Sequence, residues 1–227
     1  WKVSSTPDDP SRGIAQGVGE GVGNVGAQAS AIGYFGHGTT VGTNALIQHR
    51  GVPTGLITTD GFRDLLEIGR QKRPELYDLQ ADKPPVLVSR DLRFGVAERV
   101  HHDGTVEVAL DEQALRAAAR KLKEAGVEAV AICFLYGFVR PEHEAQAARI
   151  VAEEMPGTFV SVGHQVAPEF REFERVSTAV VNAYLGPVMQ GYIQRLAGRL
   201  SDLGVGAAPH LTQSNGGVIG FEQAARL

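Results

Sequence analysis

The sequence has only one cysteine, Cys133, among 227 residues. A single cysteine excludes a disulfide within the chain. Cys133 lies in the apolar run from Val130 to Leu135, where burial keeps a thiol protonated and unreactive. We therefore expect a buried, inert cysteine rather than a nucleophile.

An excess of positive charge is also missing. The 22 Lys and Arg residues are outnumbered by 26 Asp and Glu residues, which gives a net charge of −4. Proteins that bind nucleic acid need clustered Lys and Arg to neutralise phosphates, so this class of partner is not expected. No apolar run approaches the roughly 18 residues of a membrane-spanning helix, and the N-terminus lacks a basic-then-apolar signal pattern. We expect a cytoplasmic protein that has no membrane partner.

What is present is typical of a globular chain, with 43% hydrophobic and 21% charged residues. The length allows one large domain or two small ones. The chain opens with Trp1 instead of Met, and its last five residues, from Gln223, are typical of a helix that is just beginning. Both ends favour a piece of a longer protein.

The first third of the sequence predicts two strand-turn-helix units. A glycine-rich segment over residues 11–30 indicates a weak helix or a mobile connector. The predicted elements after it are a strand over Ala31–Phe35, a turn at Gly36–Gly38, a helix over Thr40–His49 that Gly51 ends, a strand over Thr54–Thr58, and a helix that Asp60 caps and whose apolar side is Phe62, Leu65, Leu66 and Ile68. Consecutive units of this kind favour a mostly parallel sheet.

The middle of the sequence predicts a loop, a hairpin and a crossover. The predicted elements are a long loop over Gln71–Val88 with Pro74, Pro84 and Pro85, a β-hairpin over residues 92–110 around Asp103-Gly104, and a helix that Asp111 caps and Gly126 ends. A buried strand over Val127–Leu135, a helix from Pro141 to Met155 and a strand over Thr158–Val162 then form a βαβ unit. The fold class is α/β.

The last third predicts a long helix and a final strand. After Pro168, apolar residues at helical spacing run from Phe170 to Leu200, with a break or kink at Gly186-Pro187. His210–Thr212 is the predicted last strand.

The turn that contains His37, Gly38, Thr39 and Thr40 is the first candidate site. Backbone N–H groups and threonine hydroxyls before a helix can receive a phosphate or a polarised carbonyl, but ordinary N-capping explains the same residues. The motif is not a P-loop, because no Gly-Lys-Ser/Thr follows. His37 suits an acid/base group or a ligand, yet no second His or carboxylate stands at metal-binding spacing, and no metal site is predicted.

Two further segments are candidates. The charged stretch from Glu169 to Arg175 continues into Thr178 and Asn182, which indicates either a solvated helix start or a polar face that borders a cleft. The turn Ser214–Gly217 follows a strand, where open α/β sheets bind ligands, although a plain turn into a helix fits equally well. His101, His102 and His143 are predicted to be exposed.

Seven segments together resemble the family of ATP-dependent hydantoinase A, 5-oxoprolinase and the acetone carboxylase β-subunit. They lie in the family's order over nearly the whole chain from about Ser4. The segments are His37–Leu46, Thr58–Asp64, Glu67–Gln71, Arg73–Leu79, Pro168–Thr178, Asn182–Pro187 and Gln213–Gly217. This sequence departs from the family at Gly42, which is commonly Ala, at Phe173, which is commonly Tyr, and in the glycine-rich first helix.

The resemblance implies an actin-like, sugar-kinase-like ATPase fold whose two lobes close over ATP and Mg²⁺. It places residues 4–209 in the N-terminal region of the family and residues 210–227 at the start of the second ATPase lobe. The family's first phosphate loop would precede Val3 and its later ones would follow Leu227, so the chain alone is not expected to hydrolyse ATP.

The resemblance also implies a reaction and partners. The enzyme would use ATP to phosphorylate the carbonyl oxygen of a cyclic amide, with a second hydantoinase-type subunit in an oligomer. Carboxylation of a ketone and a non-catalytic role in subunit assembly through the 71–88 loop stay open as alternatives. The residues that we expect to act are Thr39, Thr40, Arg171 and Arg175 in catalysis, His37, Gly38, Thr43, Asn44, Thr178 and Asn182 in substrate binding, and Ser214, Asn215, Gly216 and Gly217 in cofactor binding.

Overall fold

The computed structural model describes residues 1–72, 75, 77–78, 80–81 and 83–225. In this part of the chain the strands are β1 (Phe35–His37), β2 (Thr54–Thr59), β3 (Arg93–Val96), β4 (Arg99–Val100), β5 (Val106–Val108), β6 (Ala129–Cys133), β7 (Phe159–Val162), β8 (Pro209–Thr212) and β9 (Val218–Gly220). The α-helices are α1 (Pro10–Asn24), α2 (Val41–Ile47), α3 (Leu65–Ile68), α4 (Glu112–Glu124), α5 (Glu142–Glu154), α6 (Gly163–Val166), α7 (Glu172–Asp202) and α8 (Phe221–Ala224).

The chain divides into two compact units. The first unit consists of residues 1–50 and 188–227, and the second unit consists of residues 51–187. Helix α7 contributes its beginning to the second unit and its end to the first.

The second unit is built on a parallel sheet with strand order β3-β2-β6-β7. All six residues of β2 and all five of β6 are buried, which explains the continuous apolar run of β6. Strand β2 buries three threonines beside Leu56 and Ile57. Helices α4 and α5 pack on one face of the sheet around Leu115, Leu122 and Ile150, and α7 packs on the other face with Val176 and Val180. The predicted parallel sheet is confirmed.

Local signals in the middle of this unit act as predicted. The Asp111 carboxylate accepts a hydrogen bond from the Ala114 backbone N–H at 2.9 Å, and Gly126 follows α4 with φ of 73°. Glycine adopts that left-handed conformation without strain, so it ends the helix. The βαβ unit of β6, α5 and β7 is also present.

The predicted hairpin over residues 92–110 is wrong in extent. The antiparallel pair contains only β4 and β5, and Gly104 turns between them with φ of 82°. Strand β3 instead pairs in parallel with β2, from Leu56 opposite Arg93 to Thr59 opposite Val96. Alternation of apolar residues is the same for either partner, so the sequence pattern alone does not select one.

Two predicted helix ends also need correction. Helix α3 begins at Leu65 after Asp64, not after Asp60, because Gly61 with φ of 85° makes a turn directly after β2. Helix α2 ends at Ile47, and His49, not Gly51, adopts the positive φ of 52°. Described residues of the 71–88 loop form no helix or strand; Arg73, Pro74, Leu76, Leu79 and Asp82 lie outside the described residues.

The first unit has a three-stranded sheet with order β1-β8-β9. The strand predicted over Ala31–Phe35 is wrong, because Ala29–Ala31 forms a 3₁₀ turn and the strand begins at Phe35, where it pairs with Pro209. The strand predicted to be the last is followed by β9, which pairs antiparallel with β8. Residues 214–217 therefore connect two strands and do not lead into a helix.

The glycine-rich segment forms a helix, α1, in spite of its glycines. Asp9 caps it by accepting hydrogen bonds from the Ser11 N–H at 3.2 Å and the Ser11 hydroxyl at 2.6 Å. Asp9 also pairs with Arg199 at 2.8 Å, and these donors lower the pKa of Asp9 to about 2. The cap and the ion pair oppose the low helix propensity of glycine.

Helix α7 continues through Gly186-Pro187, where a break or kink was predicted. Phe170, predicted to lie on its apolar stripe, precedes the helix and is 66% exposed.

Replacing each of two glycines of α7 by alanine is expected to change the free energy of unfolding in opposite directions. A Cβ at Gly186 would lie closer than 3.0 Å to three ring carbons of Phe159, whereas a Cβ at Gly198 meets nothing within 4 Å. We expect Gly186→Ala to lower the free energy of unfolding by about 1–3 kcal/mol through overpacking. Gly198→Ala should raise it by about 0.5–1 kcal/mol, because alanine is the better helix former. Urea denaturation of both variants tests this, and a change of the same sign in both would refute it.

Candidate functional site

A histidine-tyrosine pair lies at the end of β1 in the first unit. His37 Nε2 is 2.6 Å from the hydroxyl of Tyr192, which is only 2% exposed on α7. Burial lowers the pKa of His37 and raises the pKa of Tyr192. At neutral pH these shifts favour a protonated tyrosine and a neutral imidazole, which share a hydrogen bond. His37 is the last residue of β1 and lies directly before the turn that leads into α2.

The threonines of this turn make local hydrogen bonds. Thr39 Oγ1 accepts from the Val41 N–H at 3.2 Å, and Thr40 Oγ1 accepts from Asn44 Nδ2 at 3.3 Å. Helix α2 has seven residues and begins at Val41, and its N-cap residue is Thr40, whose side chain makes no capping hydrogen bond. Thr39, one residue earlier, instead satisfies the first helical N–H, a local capping role of the kind that one interpretation of the sequence predicted. Gly38 and Thr43 are exposed. A ligand role for these residues stays a prediction.

A pH dependence follows from the lowered pKa of His37. Because the folded pKa lies below the unfolded value of about 6.5, the unfolded chain binds more protons as the pH falls. The contribution of neutral His37 to stability is thus present above pH 6.5 and is lost as the pH falls through 6.5 toward the folded pKa. His37→Asn should lose less stability than the parent chain between pH 7.5 and 5. Urea denaturation at both pH values measures the stability that each protein loses between them. His102 is exposed, so His102→Asn should lose as much stability as the parent chain.

A cleft of about 450 Å³ opens beside this turn within the first unit. Its lining includes Asn44 of the predicted site, together with Tyr192, and the charged side chains of Asp8, Arg50 and Arg195. One predicted site residue of the first unit, Asn44, thus lines a cavity that has both charge signs and hydroxyl groups.

The turn Ser214–Gly217 is an exposed hairpin connection that bonds to itself. Asn215 Oδ1 accepts from the Gly217 N–H at 2.9 Å, Gln213 N–H donates to the Gly217 carbonyl at 2.8 Å, and Gly216 has φ of 86°. A cofactor role for these four residues stays a prediction.

The second unit contains a buried ion-pair network around Glu144. This carboxylate, fully buried on α5, accepts hydrogen bonds from the Phe134 N–H at 2.9 Å, from the N–H and Nδ1 of His164 at 2.6 and 2.8 Å, and from Arg175 Nη2 at 3.1 Å. Arg175 Nη1 also donates to Glu172 at 2.8 Å and to the Phe134 carbonyl at 2.9 Å. Arg175 is 1% exposed, so its N–H donors bind acceptors inside the protein and not solvent.

A second buried network joins the ends of β2 and β6. Glu98 accepts a hydrogen bond from the Thr59 hydroxyl, whose oxygen accepts from the Leu135 N–H at 3.0 Å. The other Glu98 oxygen lies 2.9 Å from His143 Nδ1. The predicted exposure of His143 is wrong, since the residue is 8% exposed. The sequence carries no local signal for Glu98 or Glu144, because their partners are distant along the chain.

Asn182, Thr178 and Arg171 differ in their surroundings. Asn182 Nδ2 donates to the Ser161 hydroxyl at 3.0 Å, and Thr178 is exposed. Arg171, with φ of 83°, lines a pocket of about 460 Å³ in the second unit. We call it the aromatic pocket; its lining residues are Phe62, Arg99, Leu135, Tyr136, Phe138, Phe170, Arg171 and Glu172.

Cys133 is buried, as predicted, and burial raises the pKa of its thiol. Among the described residues, no group of three His, Cys, Asp or Glu side chains is arranged to hold a metal ion. No helix in that same part of the chain combines the length and the apolar character needed to cross a membrane.

These features define an α/β protein with a mostly parallel sheet, a hydroxyl-bearing turn before a helix and ligand-sized cavities. Comparison with known proteins gives the family. The family model described as hydantoinase/oxoprolinase N-terminal region matches residues 1–155, and the model described as hydantoinase/oxoprolinase matches residues 175–227. The chain belongs to the hydantoinase/oxoprolinase family, as its motifs indicated.

Three relatives illustrate the match. Caprolactamase subunit alpha of Pseudomonas jessenii is 40% identical over 96% of this chain and 32% of its own length. The crystal structure of the ATP-dependent caprolactamase from that organism superposes with a TM-score of 0.89 at 38% identity, over 96% of this chain and 32% of that one. 5-Oxoprolinase 1 of Arabidopsis thaliana is 32% identical over 73% of this chain and 14% of its own length.

The nucleotide-free structure of acetone carboxylase superposes with a TM-score of 0.87 at 25% identity, over 99% of this chain and 34% of that one. The chain thus spans about a third of the length of the first relatives that it matches. These superpositions confirm the predicted fold class, an α/β lobe with a mostly parallel sheet of the actin-like ATPase type. The predicted boundary between residues 209 and 210 stays a prediction.

Proposed function

We propose that this chain acts as part of an ATP-dependent enzyme that opens cyclic amides. The observation that carries the proposal is the similarity to caprolactamase over 96% of the chain, in both sequence and structure. The similarity to 5-oxoprolinase 1 points to the same substrate class.

The chemistry of this reaction explains the need for ATP. Resonance lowers the electrophilicity of an amide carbonyl, so water attacks it slowly. ATP supplies a phosphoryl group that is transferred to the carbonyl oxygen, and the resulting phosphate ester is a far better electrophile for water. Catalysis of such a transfer depends on positioning and on electrostatic stabilisation.

We propose roles for the residues of the first unit on this basis. The Thr39 and Thr40 hydroxyls, with the exposed backbone of Gly38, would hold the phosphate or the carbonyl oxygen. His37, held neutral against Tyr192, would contact the substrate with Thr43 and Asn44. Residues Ser214, Asn215, Gly216 and Gly217 would approach the nucleotide, and the exposure of their turn leaves it accessible.

The residues of the second unit would serve the charged intermediate. Arg171 would face the anionic phosphate, and Thr178 and Asn182 would orient the substrate. Arg175 was predicted to act beside Arg171, but its hydrogen bonds to Glu144 and Glu172 support a positioning role at the start of α7. We propose that Mg²⁺ is held mainly by the phosphates of ATP, as is usual for this ion, which requires few protein carboxylates.

Two alternatives have support of their own. The superposition on acetone carboxylase favours ATP-dependent carboxylation of a ketone, in which the same phosphorylation would activate the carbonyl. The name of the caprolactamase relative, a subunit alpha, favours a second subunit as a partner, and the 71–88 loop is the segment that we propose for its contact.

ATP hydrolysis by the full-length enzyme together with its second subunit tests the proposal. The candidate substrates are caprolactam, 5-oxoproline, N-methylhydantoin, and acetone with bicarbonate. Stimulation by a cyclic amide together with ring opening supports the proposed function. Stimulation by acetone and bicarbonate alone would replace it with the carboxylase alternative. Retained ATP turnover with lost assembly after deletion of residues 71–88 would support the assembly role of that loop.

A further inference from the structure

The aromatic pocket lies where a parallel sheet binds ligands. Strand β2 ends at Thr59 and β6 ends at Cys133, and the pocket is lined by residues that follow these ends, including Phe62 and Tyr136. Open α/β sheets place their ligands outside the carboxyl ends of the strands. The volume of about 460 Å³ is in the range of small-molecule sites.

The walls of the pocket are rich in rings. Four of the eight lining residues are aromatic, namely Phe62, Tyr136, Phe138 and Phe170. The rings of Tyr136 and Phe138 are tilted by 41° with their centroids 6.1 Å apart, and Phe170 is 66% exposed. Aromatic faces provide large apolar contact area for a flat ligand.

Two guanidinium groups of the pocket have no counter-ion within the described part of the chain. Arg99 lies over the ring of Phe62 and Arg171 lies over the ring of Phe170, each at 5.5 Å from the centroid. Among the described residues, neither guanidinium group has a carboxylate oxygen within 4.0 Å or a hydrogen-bond acceptor. Stacking on a ring orients a guanidinium group while leaving its in-plane donors available.

Glu172 is the one carboxylate that lines the pocket, and it is already paired. Its Oε2 accepts from Arg175 Nη1 at 2.8 Å, a guanidinium group that it shares with Glu144. The pocket lining thus carries two guanidinium groups without an ion pair, Arg99 and Arg171, against this one paired carboxylate, and the excess positive charge attracts an anion.

The backbone at this site is strained in two places. Tyr136 has φ of 54° and Arg171 has φ of 83°, a region that costs about 1–3 kcal/mol for residues other than glycine. Both strained residues line the pocket. Such strain persists where the surrounding fold holds a side chain in a required position.

We propose that the aromatic pocket binds a small organic anion composed of a flat or compact apolar ring with one carboxylate or phosphate group. The ring lies among Phe62, Tyr136, Phe138 and Phe170, and the anionic group is held by Arg99 and Arg171. A cyclic amide that carries a phosphate on its carbonyl oxygen has this chemistry; that identification of the occupant rests on the proposed function, whereas the binding itself does not.

Isothermal titration of the 227-residue chain tests the pocket directly and without ATP. Benzoate and phenyl phosphate supply the ring and the anion together, acetate and inorganic phosphate supply only the anion, and benzamide supplies only the ring. Benzoate should bind about tenfold more tightly than acetate and benzamide, or phenyl phosphate should bind about tenfold more tightly than inorganic phosphate and benzamide. Equal affinity across the set would overturn the proposal and would leave the proposed ATP-dependent reaction untouched.

Variants of Arg171 locate the binding. Because Arg171→Gln removes a hydrogen bond to a charged group, we expect it to weaken the binding of the ring-bearing anion by about 10- to 100-fold. Arg149→Gln, which removes an exposed arginine from α5, should bind like the parent chain. Equal effects of the two substitutions would contradict the assignment.

A glycine variant separates binding from folding. Glycine accepts a positive φ without strain, so Arg171→Gly should keep or raise the urea midpoint of unfolding. The same variant should no longer bind the ring-bearing anion. A lowered midpoint together with retained binding would show that Arg171 serves the fold instead of a ligand.

Discussion

Replacing Glu144 by alanine is expected to lower the free energy of unfolding by about 3–5 kcal/mol. The substitution removes a fully buried carboxylate and leaves the guanidinium group of Arg175, which is 1% exposed, without its partner at 3.1 Å. Breaking a buried ion pair from one side costs this much when the remaining group is shielded from water. Arg175 keeps Glu172 as a counter-ion at 2.8 Å, but its buried Nη2 loses its acceptor. The N–H groups of Phe134 and His164 also lose their acceptor.

Urea denaturation of the 227-residue chain, followed by far-UV circular dichroism, measures the loss. Glu128→Ala is the matched control, because Glu128 is exposed and has no ion pair within the described residues. It should change the free energy of unfolding by less than about 0.5 kcal/mol. A loss below about 1 kcal/mol in Glu144→Ala would mean that water reaches the network.

The glycines around this network give an independent check on how tightly it is packed. A Cβ at Gly163 would lie 2.8 Å from Cys133 Sγ, 2.9 Å from Glu144 Oε1 and 3.2 Å from Arg175 Nη2. The network thus occupies the space next to the glycine backbone and leaves no room for a methyl group. This close packing is the reason that we expect little relaxation after Glu144→Ala.

If the proposed function holds, Thr39→Ala in the full-length protein with the proposed second subunit is expected to lower the rate of substrate-stimulated ATP hydrolysis by about 100-fold. Removing one preorganised donor to a developing oxyanion typically costs a factor of 10²–10³. Thr39→Ser keeps the hydroxyl and should stay within about fivefold of the parent rate, a range that we set on the same principle.

Two measurements separate this role from the helix cap. The Thr39 hydroxyl accepts a hydrogen bond from the Val41 N–H, so Thr39→Ala should also lower the free energy of unfolding by about 1 kcal/mol. Thr158→Ala, outside the proposed site, should leave ATP hydrolysis unchanged. An unchanged rate in Thr39→Ala despite the lost stability would restrict Thr39 to capping.

Several elements were predictable because their causes are local. Helix α4 follows from Asp111, an apolar stripe and Gly126, and the buried run of β6 has a length and composition that suit only an inner parallel strand. The order of the seven family motifs likewise needs no tertiary information, and the family models match all of them except residues 168–174.

Other features were missed because their cause lies in distant residues. Strand β1 has three residues, and pairing with β8, more than 170 positions away, defines it. Strand β3 has the alternation of a hairpin strand, and only its neighbour β2 makes it parallel. Short strands carry too little local pattern to select a partner.

The candidate sites show the same division. By itself, the sequence determined the α/β class and the family, because these depend on periodicity, capping residues and motif order. Only the tertiary structure decided that Arg175 is buried against Glu144, that His143 joins Glu98, and that Arg99 and Arg171 share an aromatic pocket. The physical reason is that burial and charge pairing depend on neighbours in space, and the chain brings these groups together from 31 to 72 positions apart.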